Sequence, residues 1–600
     1  NLELPRVALV TTQGFRDVIE IGRQNRSELY NPFVTRPRPL VAREDRLTVR
    51  ERVDFRGNVL LALAESDIER LYAPLRERNI KSVAICLLHS YANDAHERRI
   101  AAALSAALPG VRVMASSQVD PQYREYERCS TTVVNAALAP IVEEYLERLL
   151  VELRAADIDA PLYVMRSDGG MASERALARP AALIESGPAS GVMAAAALGT
   201  RLGIARLLSF DMGGTTAKAG AIVDGIAQVA GEFEAAGTTH SGRAVKGSGY
   251  PVRFPFLDLA EVSAGGGTIA WIDEAGSLRV GPLSAGADPG PACYGRSDRA
   301  TVTDANVVLG RLNQHALLGG AFPIDAARAR AAIERLAVSL EMSLEATAKG
   351  IVKLVDHAMA KALRIVTVER GLDPREFALA AFGGGGPLHA CAVADELGIA
   401  RVIVPEHPGL FSARGLLDAD LHADGVLPVL QSTAEMDHAA VERWFEERER
   451  HATASLIEQG ALPEAIAFRR TYDARYRGQS FELTIEHDRS PESIAQRFHD
   501  AHKLRYGYDV PSEAVELVNA RLAATGALPS FDVAQSDKPF AGRGAAEARS
   551  GMPVFARGAL ERGKPIEGPA IVEEYDCTTY VAPGWSLVVE DDVLVLRKTA

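Results

Sequence analysis

A short acidic turn that contains two glycines, DMGGTTAK at Asp211–Lys218, constrains this chain more than any other segment. Apolar residues precede and follow it, so the stretch predicts a strand, a glycine turn and a second strand, and hence a hairpin. The turn is therefore not a P-loop, because GxxxxGK[ST] leads from a strand into a helix.

The residue types of this turn suit a phosphate group and its metal ion. Gly213 and Gly214 lack Cβ atoms, so backbone N–H groups can approach phosphate oxygens closely. Asp211 can hold a hydrated Mg²⁺ or orient an attacking group. Further donors are predicted from Thr215, Thr216 and Lys218. The alternative is a plain hairpin turn in which Asp and Gly serve turn geometry alone.

A second glycine run, FGGGGPLHA at Phe382–Ala390, joins a predicted buried strand to a helix. Such a run lets the backbone pass beneath a ligand that faces the helix N-terminus, and adenosine is the ligand we expect there. The predicted contacts are Gly383, Gly384, Gly385 and Gly386. A tight strand-to-helix corner is the alternative, and His389 is expected to pack or cap rather than to act in catalysis.

Further loops share this composition, and VSAGGGTIAWID at Val262–Asp273 is the one from which we predict ligand contacts, by Gly265 and Gly266. So much glycine costs folding entropy, which favours ligand loops over plain connections. Strands and helices alternate up to about residue 430, which indicates an α/β fold, and the remainder is richer in strands. The small residues at Ala541–Gly551 predict a linker or loop.

Composition excludes several classes of protein. The net charge of −13 disfavours nucleic-acid binding, which needs a basic surface. No stretch approaches the roughly 20 apolar residues of a membrane span. The five cysteines are widely separated, and neither they nor the histidines show a transition-metal spacing, so reduced thiols and a cytoplasmic location are expected. A chain of 600 residues predicts about two to four domains.

Taken in order, the motifs of this chain resemble the hydantoinase A/oxoprolinase family. That family includes ATP-dependent N-methylhydantoinases, 5-oxoprolinases and the related subunits of acetone and acetophenone carboxylases. Besides the loops above, the resemblance rests on RVALVTTQGFRDVIEIGRQNR at Arg6–Arg26, ESGPASG at Glu185–Gly191 and GPAIVEEYDCTTYVAPGW at Gly568–Trp585. It covers nearly the whole chain.

The resemblance implies an actin/hexokinase/Hsp70-like (ASKHA) ATPase core with a β-rich C-terminal domain. The expected domains are 1–185, the remainder of an N-terminal α/β domain, 186–430, the ATPase domain, and 431–600, an α+β domain. DMGGT is then the second of two phosphate turns. The first, which the family carries at its very N-terminus, is absent from this sequence, and we attribute its absence to truncation or to residues that the given sequence leaves out.

For each of two acidic residues within family motifs, the sequence allows two interpretations. Asp304 in TDAN (Thr303–Asn306) is predicted as a catalytic group, with capping of a helix as the alternative. Asp168 in SDGGM (Ser167–Met171) follows a predicted strand, where ligand residues are frequent, but an Asx turn explains it equally well.

The activity that the resemblance implies is transfer of a phosphoryl group from ATP, with Mg²⁺ or Mn²⁺, to the carbonyl oxygen of a cyclic amide such as a hydantoin or 5-oxoproline. A hydantoinase B-like subunit is the expected partner, in a hetero-oligomer. The ATP-binding subunit of a ketone carboxylase is the second hypothesis, since the motifs are common to both. A non-catalytic regulator with a decayed site is the third.

Overall fold

The computed structural model describes residues 4–23, 25–28, 30–35, 37–174, 179–237, 239–240, 243–245, 247–529 and 546–599. They form a mixed α/β structure, which confirms the predicted alternation of strands and helices. Among the helices of these residues, none combines the length and the apolar character needed to cross a bilayer.

The N-terminal sheet is parallel and buried between helices. Its strands, in spatial order, are Arg46–Val49, Val7–Thr12, Ser82–Cys86 and Arg112–Ala115. The helices of this region are Val18–Ile21, Glu65–Glu77, Ala95–Ala107, Ser116–Val119 and Glu125–Ala155. The last of these contains Pro140 and continues through it as one helix.

The central sheet contains nine strands. Its main path is Ile226–Ala227, Ala217–Val223, Arg206–Met212, Ala378–Phe382, Arg401–Val404, Val593–Lys598, Trp585–Glu590 and Ile566–Glu567, and Leu259–Val262 pairs with Ala217–Val223. Alternate residues of one strand face opposite layers, as expected for a sheet covered on both sides. Phe210 packs in the core with helices Leu344–Val366 and Gly386–Leu397, whereas Leu207 packs with helix Ser186–Arg201.

The C-terminal sheet has six strands. In spatial order they are Leu483–Glu486, Ile466–Tyr476, Val515–Gly526, Leu421–Ser432, Met171–Ser173 and Tyr163–Met165. Helices His438–Glu458 and Pro491–Tyr506 contribute Phe445 and Phe498 to its core. A separate four-stranded sheet contains Ala546–Arg549, Met552–Ala556, Ala570–Glu573 and Thr578–Val581.

The remaining elements are short connections around these sheets. The helices are Val302–Val308, Ala326–Ser339 and Phe411–Arg414. The paired strands are Arg52–Val53 with Val59–Leu61, Val229–Ala230 with Phe256–Leu257, Phe233–Ala235 with Tyr250–Val252, Thr239–His240 with Arg243–Ala244, Thr268–Ile272 with Leu278–Ser284, and Ala316–Leu317 with Phe322–Pro323.

Strand pairing crosses the segment bounds that the sequence predicted. Val593–Lys598 pairs with Arg401–Val404 and so covers an edge that would otherwise expose backbone hydrogen-bonding groups. Conversely, Met171–Ser173 joins the C-terminal sheet. The domain bounds therefore stay a prediction. Of the predicted linker Ala541–Gly551, residues 541–545 lie outside the described part, and Ala546–Arg549 is a strand rather than a loop.

Candidate functional site

The two glycine turns lie side by side. Strands Arg206–Met212 and Ala378–Phe382 are parallel neighbours, with Asp211 opposite Phe382 in the register. The N–H of Gly385 donates to the carbonyl of Met212 at 2.9 Å, which fixes one turn against the other. Both turns thus follow the carboxyl ends of adjacent parallel strands, where α/β sheets commonly bind their ligands.

The third glycine loop, Val262–Asp273, is hydrogen-bonded to the backbone of the hairpin turn. The N–H of Gly266 donates to the carbonyl of Gly213 at 3.1 Å, and that of Gly267 donates to the carbonyl of Gly214 at 2.7 Å. A Cβ atom on Gly265 would lie 2.6 Å from the carbonyl carbon of Gly214, so a larger residue does not fit. Gly265 and Gly266 therefore shape the turn, and their direct contact with a ligand stays a prediction.

The tips of both turns are open. Gly213, Gly214 and Thr215 are exposed, and a Cβ atom on Gly214 would meet nothing within 4 Å. Gly213 itself donates its N–H to the carbonyl of Thr216 at 3.0 Å, which closes the turn beneath this tip. Gly384 is exposed as well. Two strips of glycine backbone are thus adjacent and open, and the phosphate contacts predicted for them stay a prediction.

Asp211 sits between the two turns. Its Oδ2 accepts a hydrogen bond from the hydroxyl of Ser412 at 3.2 Å. Its Oδ1 lies against Gly383, where a Cβ atom would approach to 2.3 Å. Burial raises the pKa of Asp211, and Ser412 and Lys218 offset only part of that effect. A bound cation would stabilise the ionised carboxylate in this position.

The metal-binding capacity of the site is modest. Within the described ranges no group of three or more His, Cys, Asp and Glu side chains could hold a metal ion. Mg²⁺ commonly takes one or two protein carboxylates and completes its shell with water and phosphate oxygens. Asp211 alone therefore fits a Mg²⁺ that arrives with a phosphate ligand, and does not fit a resident transition metal.

Lys218 forms ion pairs with carboxylates outside the glycine turn. Its ammonium lies 2.8 Å from Oε2 of Glu185 and 3.6 Å from Oε1 of Glu261. It stands opposite Asp211 across the hairpin, with 19% of its side chain exposed. To contact a phosphate, Lys218 would have to break these two ion pairs. The predicted contact of Lys218 with the cofactor therefore competes with its pairing to Glu185 and Glu261.

Asp304 has the capping role, the alternative to the predicted catalytic one. It forms a capping box with Thr301 at the start of helix Val302–Val308. Its carboxylate accepts from the N–H groups of Ala292, Cys293 and Thr301 at 3.0, 2.8 and 3.0 Å and from the Thr301 hydroxyl at 2.7 Å. Because its carboxylate is engaged by four donors and its side chain is fully buried, Asp304 is not accessible to a ligand.

His389 and Asp168 are also placed by the fold. The His389 ring is buried between Asp356, 2.6 Å from its Nδ1, and Asn306, which is the packing role expected for it. Asp168 makes the Asx turn, accepting the N–H of Gly170 at 3.1 Å. Ser412 is the site residue that the sequence analysis missed, because its short helix, Phe411–Arg414, carries no motif and reaches Asp211 only through tertiary packing.

Fold and site together define an α/β protein whose candidate ligand site is built from glycine turns at strand ends. Residues 2–108 of the chain match the family model for the hydantoinase/oxoprolinase N-terminal region. Residues 128–425 match the hydantoinase/oxoprolinase family model. It belongs to the hydantoinase/oxoprolinase family, a family of ATP-dependent enzymes that includes caprolactamase and ketone carboxylase subunits.

Three relatives illustrate the range of the family. An uncharacterised protein of Methanocaldococcus jannaschii is 44% identical, with 98% of this chain and 88% of the relative covered. Caprolactamase subunit alpha of Pseudomonas jessenii is 32% identical, with 98% and 86% covered. Acetophenone carboxylase gamma subunit of Aromatoleum aromaticum is 30% identical, with 96% and 83% covered.

A solved structure agrees with this placement. The crystal structure of ATP-dependent caprolactamase from Pseudomonas jessenii superposes with a TM-score of 0.82 at 30% sequence identity. The match covers 99% of this chain and 88% of that chain. The structural likeness is therefore not confined to one part of the chain.

Proposed function

We propose that this chain is the ATP-binding subunit of a hydrolase that phosphorylates and opens a cyclic amide. The observation that carries the proposal is the meeting of two open glycine turns beside Asp211 at the ends of adjacent parallel strands. The likeness to caprolactamase, in sequence and in structure, supports an amide rather than another carbonyl compound as substrate.

The fold that goes with this proposal is an actin/hexokinase/Hsp70-like ATPase core. In it, DMGGT would serve as a phosphate turn and Gly383–Gly386 as the adenosine turn. The ranges 1–185, 186–430 and 431–600 are the domains we propose. The central sheet draws its strands from the last two ranges, and the C-terminal sheet draws strands from all three. Residues 186–430 contribute both turns.

The residues of the chain would act mainly by binding and orienting. The exposed backbone at Gly214 and Thr215 would hold phosphate oxygens, and the flat surface at Gly384 would carry the nucleoside. Asp211 would bind Mg²⁺ or Mn²⁺ next to the phosphates, with Ser412 fixing its carboxylate. When bound, ATP would supply a phosphoryl group to the amide oxygen, so that water can add to the carbonyl carbon, the ring C–N bond can break, and the oxygen can then leave as phosphate.

The partner we propose is a hydantoinase B-like subunit, in a hetero-oligomer located in the cytoplasm. Two relatives are named as subunits, alpha of caprolactamase and gamma of acetophenone carboxylase. In the described part of this chain the glycine turns bring together one carboxylate and backbone amides, so a second subunit would contribute the groups that hold and activate water.

The relative of the ketone carboxylase type motivates a second candidate function, carboxylation of a ketone with bicarbonate. The deciding experiment co-expresses this chain with the hydantoinase B-like protein encoded nearest to it and measures ATP hydrolysis. Stimulation by hydantoin, 5-oxoproline or a lactam is the expected result. Stimulation only by acetone or acetophenone with bicarbonate would replace the proposal by the second candidate, and no nucleotide binding would indicate a decayed site.

A further inference from the structure

A large cavity, separate from the glycine turns, lies where the N-terminal helices, the hairpins after the central sheet and the C-terminal sheet meet. Its volume is about 2110 Å³. Residues that line it include Tyr123, Asp168, Arg179, Phe254, His422 and Asp424. Of the described residues around it, none belongs to Asp211–Lys218 or Gly383–Gly386. Nothing in the proposed nucleotide site uses this space.

One wall of the cavity carries a carboxylate held in a fixed position. Oδ1 of Asp168 accepts a hydrogen bond from the N–H of Gly170, and Oδ2 accepts one from Nη2 of Arg166 at 2.9 Å. Burial alone would raise the pKa of Asp168, but Arg166 and the contact with His422 hold it at about 2. Asp168 is therefore ionised at neutral pH and acts only as a hydrogen-bond acceptor.

Asp168 orients the imidazole of His422. Nδ1 of His422 lies 3.3 Å from Oδ2 of Asp168. The ring packs flat on Gly170, where a Cβ atom would come within 2.0 Å of it, so the second glycine of SDGGM makes room for this histidine. Because Asp168 only accepts, Nδ1 of the neutral ring carries the proton, and Nε2 carries a lone pair.

The free side of His422 faces the cavity in a suitable environment. With 24% of the side chain exposed, Nε2 makes no hydrogen bond to any residue that the structure describes. Arg179 also lines the cavity. It uses Nη2 on Asp424 at 2.6 Å, and its other guanidinium N–H groups make no hydrogen bond to a described residue, so they can act as donors. Met193, Phe254 and Leu257 line the same region with apolar surface.

An acceptor, a cationic donor and apolar surface together match a small ring that contains an N–H group, a carbonyl and methylene groups. We propose that this cavity is the site for the cyclic amide, with Nε2 of His422 accepting the ring N–H and Asp168 as the positioning residue. The inference rests on the proposed function for the class of ligand. Since no residue of the two glycine turns lines the cavity, the inference concerns where the amide is recognised and not where it is phosphorylated.

The test measures binding of small amides to the complex with its partner subunit. The probes are 2-pyrrolidinone, caprolactam and hydantoin, each compared with its N-methyl analogue, which lacks the N–H donor. By ligand-observed NMR titration, the N–H form should bind the unaltered protein about 5- to 10-fold more tightly than the N-methyl form. In His422→Ala the two forms should bind alike, because the acceptor is gone.

Further variants separate recognition from misfolding. His438→Ala removes a part-buried histidine whose Nε2 bonds the carbonyl of Thr433 outside the cavity, and it should keep the N–H preference. MgATP binding should be unchanged in every variant. Asp168→Asn can donate to Nδ1 and so shift the proton to Nε2, which ¹⁵N NMR of histidine detects directly, and the N–H preference should fall with that shift.

The outcomes are distinguishable from those of the proposed function. The inference is overturned if none of the probes binds, or if His422→Ala keeps the preference for the N–H form. If amides stimulate ATP turnover equally in His422→Ala and the unaltered protein, the amide binds elsewhere and the proposed function stands. If no amide stimulates the unaltered protein, the proposed function itself fails.

Discussion

Asp211 is a partly buried carboxylate and Asp304 a fully buried one, and they differ in how many donors reach them. Asp304 accepts hydrogen bonds from three backbone N–H groups and a hydroxyl. Asp211 accepts one from Ser412. A satisfied carboxylate stabilises the fold, whereas one that is buried with few donors is costly until a ligand arrives. The same residue type thus has a structural role in one place and, in the other, the surroundings on which our proposal of a ligand-binding role rests.

Replacing Asp211 by Asn should separate stability from activity. ATP turnover should fall by at least about 100-fold, because the cation loses its carboxylate. Burial raises the pKa of Asp211, so ionisation penalises the folded state above that pKa, and the penalty disappears as pH falls below the unfolded value. The variant should therefore match or exceed the Tm of the unaltered protein at pH 7–8, with the difference shrinking in acid. A large loss of Tm at pH 8 would contradict this account.

Asp304→Asn should have the opposite signature. Asn keeps a single acceptor oxygen, so several buried donors lose their partner, and the free energy of unfolding should fall by about 3 kcal/mol. Urea unfolding measures this loss, with Asp298→Asn as a control at an exposed carboxylate. Nucleotide affinity of the folded fraction should be unchanged. Loss of turnover without loss of stability would restore the predicted catalytic role.

At the scale of elements, the glycine turns depend on close approach of backbones. Gly383 has φ of 77°, and a Cβ atom there would collide with Asp211. Gly276 has φ of 77° as well, but a Cβ atom there would meet nothing within 4 Å. The two positions share the conformational requirement for glycine and differ in their neighbours.

Gly383→Ala and Gly276→Ala therefore form a matched pair. Each should lose about 1 kcal/mol of stability from the left-handed backbone. Gly383→Ala should in addition weaken MgATP binding by about 10-fold or more, because the added methyl displaces the carboxylate that holds the cation. Calorimetric titration of both variants with MgATP measures the difference. Equal affinities would show that Asp211 does not act at the nucleotide site.

Local elements could be predicted from the sequence, and their tertiary partners could not. The hairpin around Asp211 and the strand Ala378–Phe382 follow from apolar runs and glycines, which are local signals. The approach of Ser412 to Asp211 and the pairing of Lys218 with Glu185 depend on how a distant short helix and a loop pack. The role of Asp304 stayed open for the same reason, since its backbone donors come from a separate loop.

For the molecule as a whole, the end of the chain completes the central sheet. Trp585 is fully buried in the core that also contains Phe210, far earlier in the sequence. Trp585→Ala should lower the free energy of unfolding by about 3–5 kcal/mol. Trp271, which is 41% exposed, provides the matched control and should cost less when replaced by Ala. Equal losses would mean that the last strands are not part of the cooperative core.

The central claim is that the chain, with its partner, directs phosphorylation to the carbonyl oxygen of a cyclic amide. The most direct measurement uses an amide labelled with ¹⁸O at the ring carbonyl and follows inorganic phosphate by ³¹P NMR during turnover. If the amide oxygen is phosphorylated and then leaves, the label appears in phosphate in proportion to ring opening. Ring opening coupled to ATP hydrolysis, with all of the label retained in the ring-opened product, would contradict the account.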